Sequence, residues 1–249
     1  VGRCQDFINF LKNKNFMFSV IIPIYNEEEN IEPLIKELLD HISIFNDFEV
    51  ILVNDSSTDN SLIVLEKIAS NKNGRIIILN NKSNKGQSYS TLKGVKKASY
   101  DTIVTIDGDG QNNPKDIINI LDIYNSDKDI QLVGGIRKKR KDNLIKLLSS
   151  KIANNVRSFI LKDNCVDTGC SLKAFNKNIF LNFPYFNGIH RFLPALFLGY
   201  GYKTQFVNVD HRKRQKGISK YGTMDRLFIG IMDMFKVYKI IKKAKRNIL

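Results

Sequence analysis

Two aspartates separated by one glycine, Asp107-Gly108-Asp109, close an apolar run from Thr102 to Ile106. Carboxylates at this spacing are hard-oxygen ligands suited to Mg²⁺ or Mn²⁺, with phosphate oxygens and water completing the octahedron. Gln111 adds a neutral oxygen two residues later. Taken alone, the pair reads more readily as an Asp-Gly turn with solvated carboxylates. Three more polar clusters follow apolar runs: Pro23-Ile24-Tyr25-Asn26-Glu27-Glu28, Asn54-Asp55-Ser56-Ser57-Thr58-Asp59 and Asn84-Lys85-Gly86-Gln87. Ser57 or Thr58 can cap a following helix, but capping does not account for four such clusters.

The runs that carry these clusters read as strands. Phe18 to Ile24 is short, β-branched and continuously apolar, the pattern of a strand buried on both faces. Phe48–Val53, Arg75–Leu79, Thr102–Ile106 and Ile130–Gly135 are further strands. Helical spacing fills the gaps, over Glu28–Phe45, Ser61–Ala69, Ser88–Ala98 and Pro114–Tyr124, the last with Pro in its first turn. This alternation predicts an α/β fold with a mainly parallel sheet. Ligands of such sheets gather at the carboxyl ends of the strands, where all four clusters fall. The rhythm then changes: a helix over Leu144–Leu161, a turn over Asp163–Cys170, a strand over Ser171–Phe175, a helix over His190–Leu198, a strand over Thr204–His211 and a long helix over Thr223–Arg246. We divide the chain into an extension of unassigned role (1–16), one domain (17–222) and a basic amphipathic helix (223–249).

Composition bounds the function. The 249 residues carry a formal net charge of +14 with 43% hydrophobic residues, so the chain is globular and suited to an anionic partner. A nucleic-acid partner has only the charge in its favour, since no helix-turn-helix, zinc-finger or RNP signature is present. Cys4, Cys165 and Cys170 are too few for a disulfide framework and lack a second pair for zinc; reduced thiols are expected. His190 and His211 have no partners at metal spacing. No GxxxxGK[ST] loop or GxGxxG follows a strand. No stretch reaches the roughly 20 apolar residues of a membrane span, and no signal peptide is evident. The expected location is cytoplasmic, peripherally attached to a membrane.

The motifs Phe18-Ser-Val-Ile-Ile-Pro-Ile-Tyr-Asn-Glu-Glu28, Val53-Asn-Asp-Ser-Ser-Thr-Asp59, Asn84-Lys-Gly86 and Asp107-Gly-Asp-Gly-Gln111 together resemble family-2 glycosyltransferases of the GT-A fold. The resemblance implies a nucleotide-diphosphate sugar donor. It places Pro23, Tyr25 and Glu27 around base and ribose and Asp55 on the base, with Asn26, Lys85 and Gly86 also donor-binding, and Asp107, Asp109 and Gln111 at the metal and diphosphate. Gly134-Gly-Ile-Arg137, Leu148-Ser-Ser150-Lys-Ile-Ala-Asn154, Asp167-Thr-Gly-Cys170, His190-Arg-Phe192 and Arg214-Gln-Lys-Gly-Ile-Ser-Lys-Tyr221 are similar to polyprenol-phosphate sugar transferases, the dolichol-phosphate mannose synthases among them. That likeness implies that Arg137, Lys146, Ser150, Arg214, Ser219 and Lys220 hold the acceptor phosphate or the diphosphate. Lys146 stands where those enzymes carry Arg, keeping the charge without the bidentate fork. Solvated basic loops over Arg137–Lys141 and Arg214–Lys220 are the competing reading.

Asp167 has two readings. A hydroxyl acceptor needs a general base, and a carboxylate in this part of the chain would supply it. A lipid phosphate is already ionised and needs only cations that align it; Asp167 then orients Arg or Lys. The last helix repeats Phe228, Ile231, Met234 or Phe235, Tyr238 and Ile241, with Lys236, Lys239, Lys242, Lys243, Lys245 and Arg246 on other faces. That is equally an interfacial helix and a core-packing helix with a basic solvated face. The expected function is inverting, metal-dependent transfer of a hexose from a nucleotide-diphosphate sugar to a polyprenyl phosphate at the cytoplasmic membrane face. Recruitment by a membrane-spanning partner protein is the route if the helix does not bind lipid. The rival function is the same fold acting on a glycan or lipid-core hydroxyl, with Asp167 as base.

Overall fold

The computed structural model describes residues 16–70, 74–138, 157–163, 165–214 and 223–246. The apolar runs form a seven-stranded sheet: β1 (Met17–Ile24), β2 (Asp47–Asn54), β3 (Ile76–Asn80), β4 (Thr102–Thr105), β5 (Ile130–Arg137), β6 (Lys173–Asn176) and β7 (Lys203–Val209). The spatial order is β3-β2-β1-β4-β6-β5-β7. β1 to β4 run parallel, β5 and β7 pair in parallel, and β6 alone is antiparallel to both neighbours. The mainly parallel sheet expected from the sequence is thus present, with one reversed strand wedged at its middle.

Helices α1 (Glu28–Ile42), α2 (Ser61–Ser70), α3 (Gln87–Lys97) and α4 (Asp116–Ser126) connect the parallel strands. α5 (Lys177–Leu181) follows β6, α6 (Leu193–Gly199) precedes β7, and α7 (Thr223–Arg246) ends the described chain. β1 is buried over almost its whole length because helices cover both faces of the sheet. One core, with Phe18, Val20, Ile22, Ile31, Leu38 and Val50, lies on the α1 side. The other, with Ile21, Ile51, Val53, Val95, Phe175 and Phe197, lies on the α3 and α6 side. Successive residues of β1 feed opposite cores, as the two-residue period of a strand requires. α3 sits close to β1 because Gly94 has no side chain: a Cβ there would lie 2.5 Å from Ile21.

The stretch His190–Leu198, read as one helix from sequence, is a 3₁₀ turn (Ile189–Arg191) followed by α6 with Pro194 in its first turn. Proline is tolerated there, where its missing N–H has no intrahelical partner. The five-residue α5 was not anticipated; Asn176 caps it by accepting from the backbone N–H of Asn178 and Ile179. Residues 157–161 of the expected helix Leu144–Leu161 are helical; its remainder lies outside the described residues, as do residues 1–15 and Cys4. Cys165 and Cys170 are buried and unbridged.

Candidate functional site: the carboxyl edge of the sheet

The ends of β1, β2 and β4 bring together Tyr25, Asn26, Glu27, Asp55, Asp107 and Asp109. Two of the loops there carry non-glycine residues in the left-handed region, Asn26 at φ 52° and Ser56 at φ 60°. Such conformations are costly and persist where surrounding bonds fix them. Here they are fixed: Asn26 N–H donates to Ser57 Oγ (3.0 Å), and its side-chain oxygen accepts from Thr58 N–H (2.7 Å). Glu27 N–H donates to Ser61 Oγ (2.9 Å).

Asp55 is buried, and its carboxylate is an anchor. Oδ1 accepts from Asn81 Nδ2 (2.6 Å) and Lys85 N–H (2.9 Å), and Oδ2 from Gly86 N–H (2.7 Å). Gly86 takes φ 84°, a left-handed turn that starts α3. So the carboxylate holds the Lys85–Gly86 loop against the end of β2. The next residue, Gln87, donates from Nε2 to Asp107 Oδ1 (2.7 Å). Gln87 belongs to the fourth polar cluster, yet its link to Asp107 is not readable from spacing.

Asp107 and Asp109 repel each other in a poorly solvated place. Burial, with Asp109 adding to it, pushes Asp107 up to about 6, against the pull of Ser171, Lys173 and Arg137. Burial also raises Asp109, and Glu27 adds to it, while the Gln111 N–H, Arg214 and His211 oppose. Gln111 N–H donates to Asp109 Oδ1 (3.1 Å), but its side-chain amide donates to the Arg212 carbonyl (3.2 Å). Arg214 pairs with Glu27 and stands 4.0 Å from Asp109. Glu27 is also tied to Asn30 Nδ2 (2.8 Å). Among the described residues no cluster of three His, Cys, Asp or Glu side chains could hold a metal by itself. Two carboxylates raised chiefly by burial, with neighbouring carboxylates adding to it, fit a divalent cation whose other ligands come from phosphate and water.

Arg137, at the end of β5, meets Asp167 in a two-point ion pair: Nε to Oδ2 at 2.8 Å and Nη2 to Oδ1 at 2.7 Å. The Arg137 backbone N–H adds a third bond to Oδ2 (3.1 Å). Asp167 is therefore fixed as the partner of a cation. Lys146, Ser150, Ser219 and Lys220 lie outside the described residues. Two polar residues have no role from sequence: Ser88, whose Oγ bonds His190 Nδ1 (2.6 Å) and accepts from Gly188 N–H (2.8 Å), and the buried Lys173, which lines a pocket with Asp107 and His190. A lysine between Leu172 and Ala174 in an apolar strand was the available signal for the second. Burial pushes His190 down to about 3, so its ring is neutral and acts as a hydrogen-bonding group.

Residues 19–183 match the family described as Glycosyl transferase family 2. The chain belongs to this family. A dodecaprenyl-phosphate galacturonate synthase from Rhizobium johnstonii is 33% identical over 92% of this chain and 68% of its own length. An undecaprenyl-phosphate 4-deoxy-4-formamido-L-arabinose transferase from Pectobacterium carotovorum is 33% identical over 82% of this chain and 62% of its own. The chain thus spans roughly two thirds of the length of these relatives. Glucosyl-3-phosphoglycerate synthase from Mycobacterium tuberculosis, crystallised with Mn²⁺, UDP and glucosyl-3-phosphoglycerate, superposes with a TM-score of 0.66 at 18% identity, covering 91% of this chain and 82% of that one. The same enzyme was also crystallised with Mg²⁺ and UDP (TM-score 0.65, 17% identity, 92% and 82% covered). The fold is that of the GT-A glycosyltransferases, as the sequence motifs implied.

Proposed function

We propose that this family-2 transferase moves a sugar from a nucleotide-diphosphate donor to the phosphate of a polyprenyl lipid, inverting the anomeric centre, at the cytoplasmic face of a membrane. The observation that carries the acceptor is the Arg137–Asp167 pair. A hydroxyl nucleophile must lose a proton, and the carboxylate at the base position is already bound at both oxygens by a guanidinium. A phosphate monoester arrives ionised and needs no base. Cations that hold it in line with the anomeric carbon suffice, and the Arg137 side chain is oriented for such work by Asp167. The relatives named for dodecaprenyl- and undecaprenyl-phosphate support this acceptor class.

On the donor side, Asp55 holds the Lys85–Gly86 loop, beside which the base and ribose are read. Asp107 and Asp109 would hold Mg²⁺ or Mn²⁺, which offsets the charge of the departing diphosphate. Arg214, paired with Glu27 next to Asp109, is placed to add a second cation there once the donor is bound. No described helix is long and apolar enough to cross a membrane. α7 instead exposes Ile231, Met232, Phe235 and Tyr238 beside a series of lysines, a surface suited to lying on lipid.

The test assays the full chain with a nucleotide-sugar panel against a short polyprenyl phosphate and against the matching free prenol and saccharides. Transfer to the phosphate alone is expected. Transfer to a free hydroxyl, abolished by Asp167→Asn, would overturn the reading in favour of base catalysis.

A further inference from the structure

A small pocket beside Asp107 holds a lysine to which none of these roles assigns a ligand. Lys173 lies on β6 and is only 3% exposed. Antiparallel register sets it opposite Thr105, two residues before Asp107. With Gln87, Asp107, Ser171 and His190 it lines a small pocket closed by Pro23 and Leu193. Among the described residues Nζ makes one hydrogen bond, to the Cys170 carbonyl. Among the described residues no carboxylate stands at ion-pairing distance from it. Arg157, comparably buried, does have such a partner, Asp163.

An ammonium has three donors and no acceptor. Burying one without an anion costs stability, and such costs are tolerated where a site needs the charge. The side chains around it are suited to a sugar: Gln87 and Ser171 are neutral hydrogen-bonding groups, and the His190 ring is neutral as well. Asp107 lines the pocket, whereas Asp109 and Arg214, 4.0 Å apart, do not.

We propose that Lys173 binds an anionic oxygen of the nucleotide-sugar donor in the pocket it lines with Asp107. The assignment rests on the donor reading above. Two donor groups carry such an oxygen: the phosphate attached to the sugar, and a carboxylate on the sugar itself.

The experiment titrates wild type, Lys173→Met and Lys173→Arg with UDP, UDP-glucose, UDP-glucuronate, GDP and GDP-mannose in Mn²⁺, and records melting temperatures without ligand. Ligand-free Lys173→Met should melt at or above wild type, since a buried charge with no carboxylate at ion-pairing distance is gone. It should bind donor about tenfold or more weakly, as loss of a charge-assisted bond implies, with Lys173→Arg recovering most of the affinity. A loss shared by the free nucleotide and all its sugars identifies the phosphate. A loss confined to UDP-glucuronate identifies the sugar carboxylate. Unchanged affinity in Lys173→Met overturns the proposal. So does a variant that fails to fold, or one whose melting temperature and affinity fall together without rescue by Arg, since the amine is then structural. If wild type binds no nucleotide, the donor reading itself fails and takes this assignment with it.

Discussion

Asp55 accepts two backbone N–H bonds and one from Asn81, so its charge does structural work beside the donor recognition proposed for it. Asp55→Asn replaces one accepting oxygen with a donor that faces backbone N–H groups. Losing a charge-assisted bond costs about 1.5–3 kcal/mol, which for a domain of this size lowers the melting temperature by roughly 3–12 °C. Donor binding should weaken in parallel while its metal requirement stays, because the aspartate pair is untouched; calorimetric titration with and without Mn²⁺ checks both. His190 gives a pH prediction. Burial holds its folded pKa near 3, whereas an unfolded histidine titrates near 6.5. The unfolded chain therefore takes up the proton first, and this contribution to stability is lost as pH falls from about 6.5 toward 3. His190→Gln should flatten that part of the melting-temperature profile; an unchanged slope would mean that other groups set it. At this scale the sequence was legible in part. Residue types at strand ends marked the site, because chemistry there depends on type and position. Pairings did not: Arg137 and Asp167 meet from 30 residues apart, and Gln87 reaches Asp107 only because α3 is turned by Gly86.

Strands and helices with strong periodicity were legible because the sheet is buried on both faces. β6 was placed to within two residues, but its reversed direction was not, since a buried strand reads alike in either sense. The last helix resolves differently from either reading taken alone. Met234, Val237 and Ile241 are buried in the core on the α6 side, while Ile231, Met232, Phe235 and Tyr238 are exposed. One helix thus carries both a packed seam and an open apolar face, and a hydrophobic pattern sums the two. Arg191 on the 3₁₀ turn donates to Asp233 (2.8 Å) and ties the helix to the segment that also holds His190. The seam is tight at Gly199, where a Cβ would lie 2.6 Å from Ile241. Gly199→Ala should therefore lower stability by about 1–3 kcal/mol through overpacking, less the small helix gain of alanine. In an Ile241→Ala background the same change should cost less, because the space is then open; a double-mutant cycle measures the difference. Additive effects would mean that α7 does not seat there.

Across the whole molecule, the net charge of +14 is not spread evenly. Lys236, Lys239, Lys242, Lys243, Lys245 and Arg246 are exposed along the second half of α7, next to its open apolar face. Each cation near an anionic bilayer contributes on the order of 1 kcal/mol, screened by salt. Attachment through one such helix should be reversible and salt-sensitive. Removing α7 would not test this cleanly, because Val237 and Ile241 belong to the core. The exposed residues can be changed without opening that seam. Phe235→Ser with Tyr238→Ser should leave the folding stability within about 1 kcal/mol of wild type, as surface changes usually do. The same variant should lose sedimentation with phosphatidylglycerol vesicles and turnover of long-chain polyprenyl phosphates, while short water-soluble prenyl phosphates are still used. Vesicle binding that survives this change but disappears on reversing the lysine charges would make the attachment purely electrostatic. Binding that survives both would move the membrane surface away from α7 altogether, and the proposed lipid acceptor would then have to be recruited by another surface.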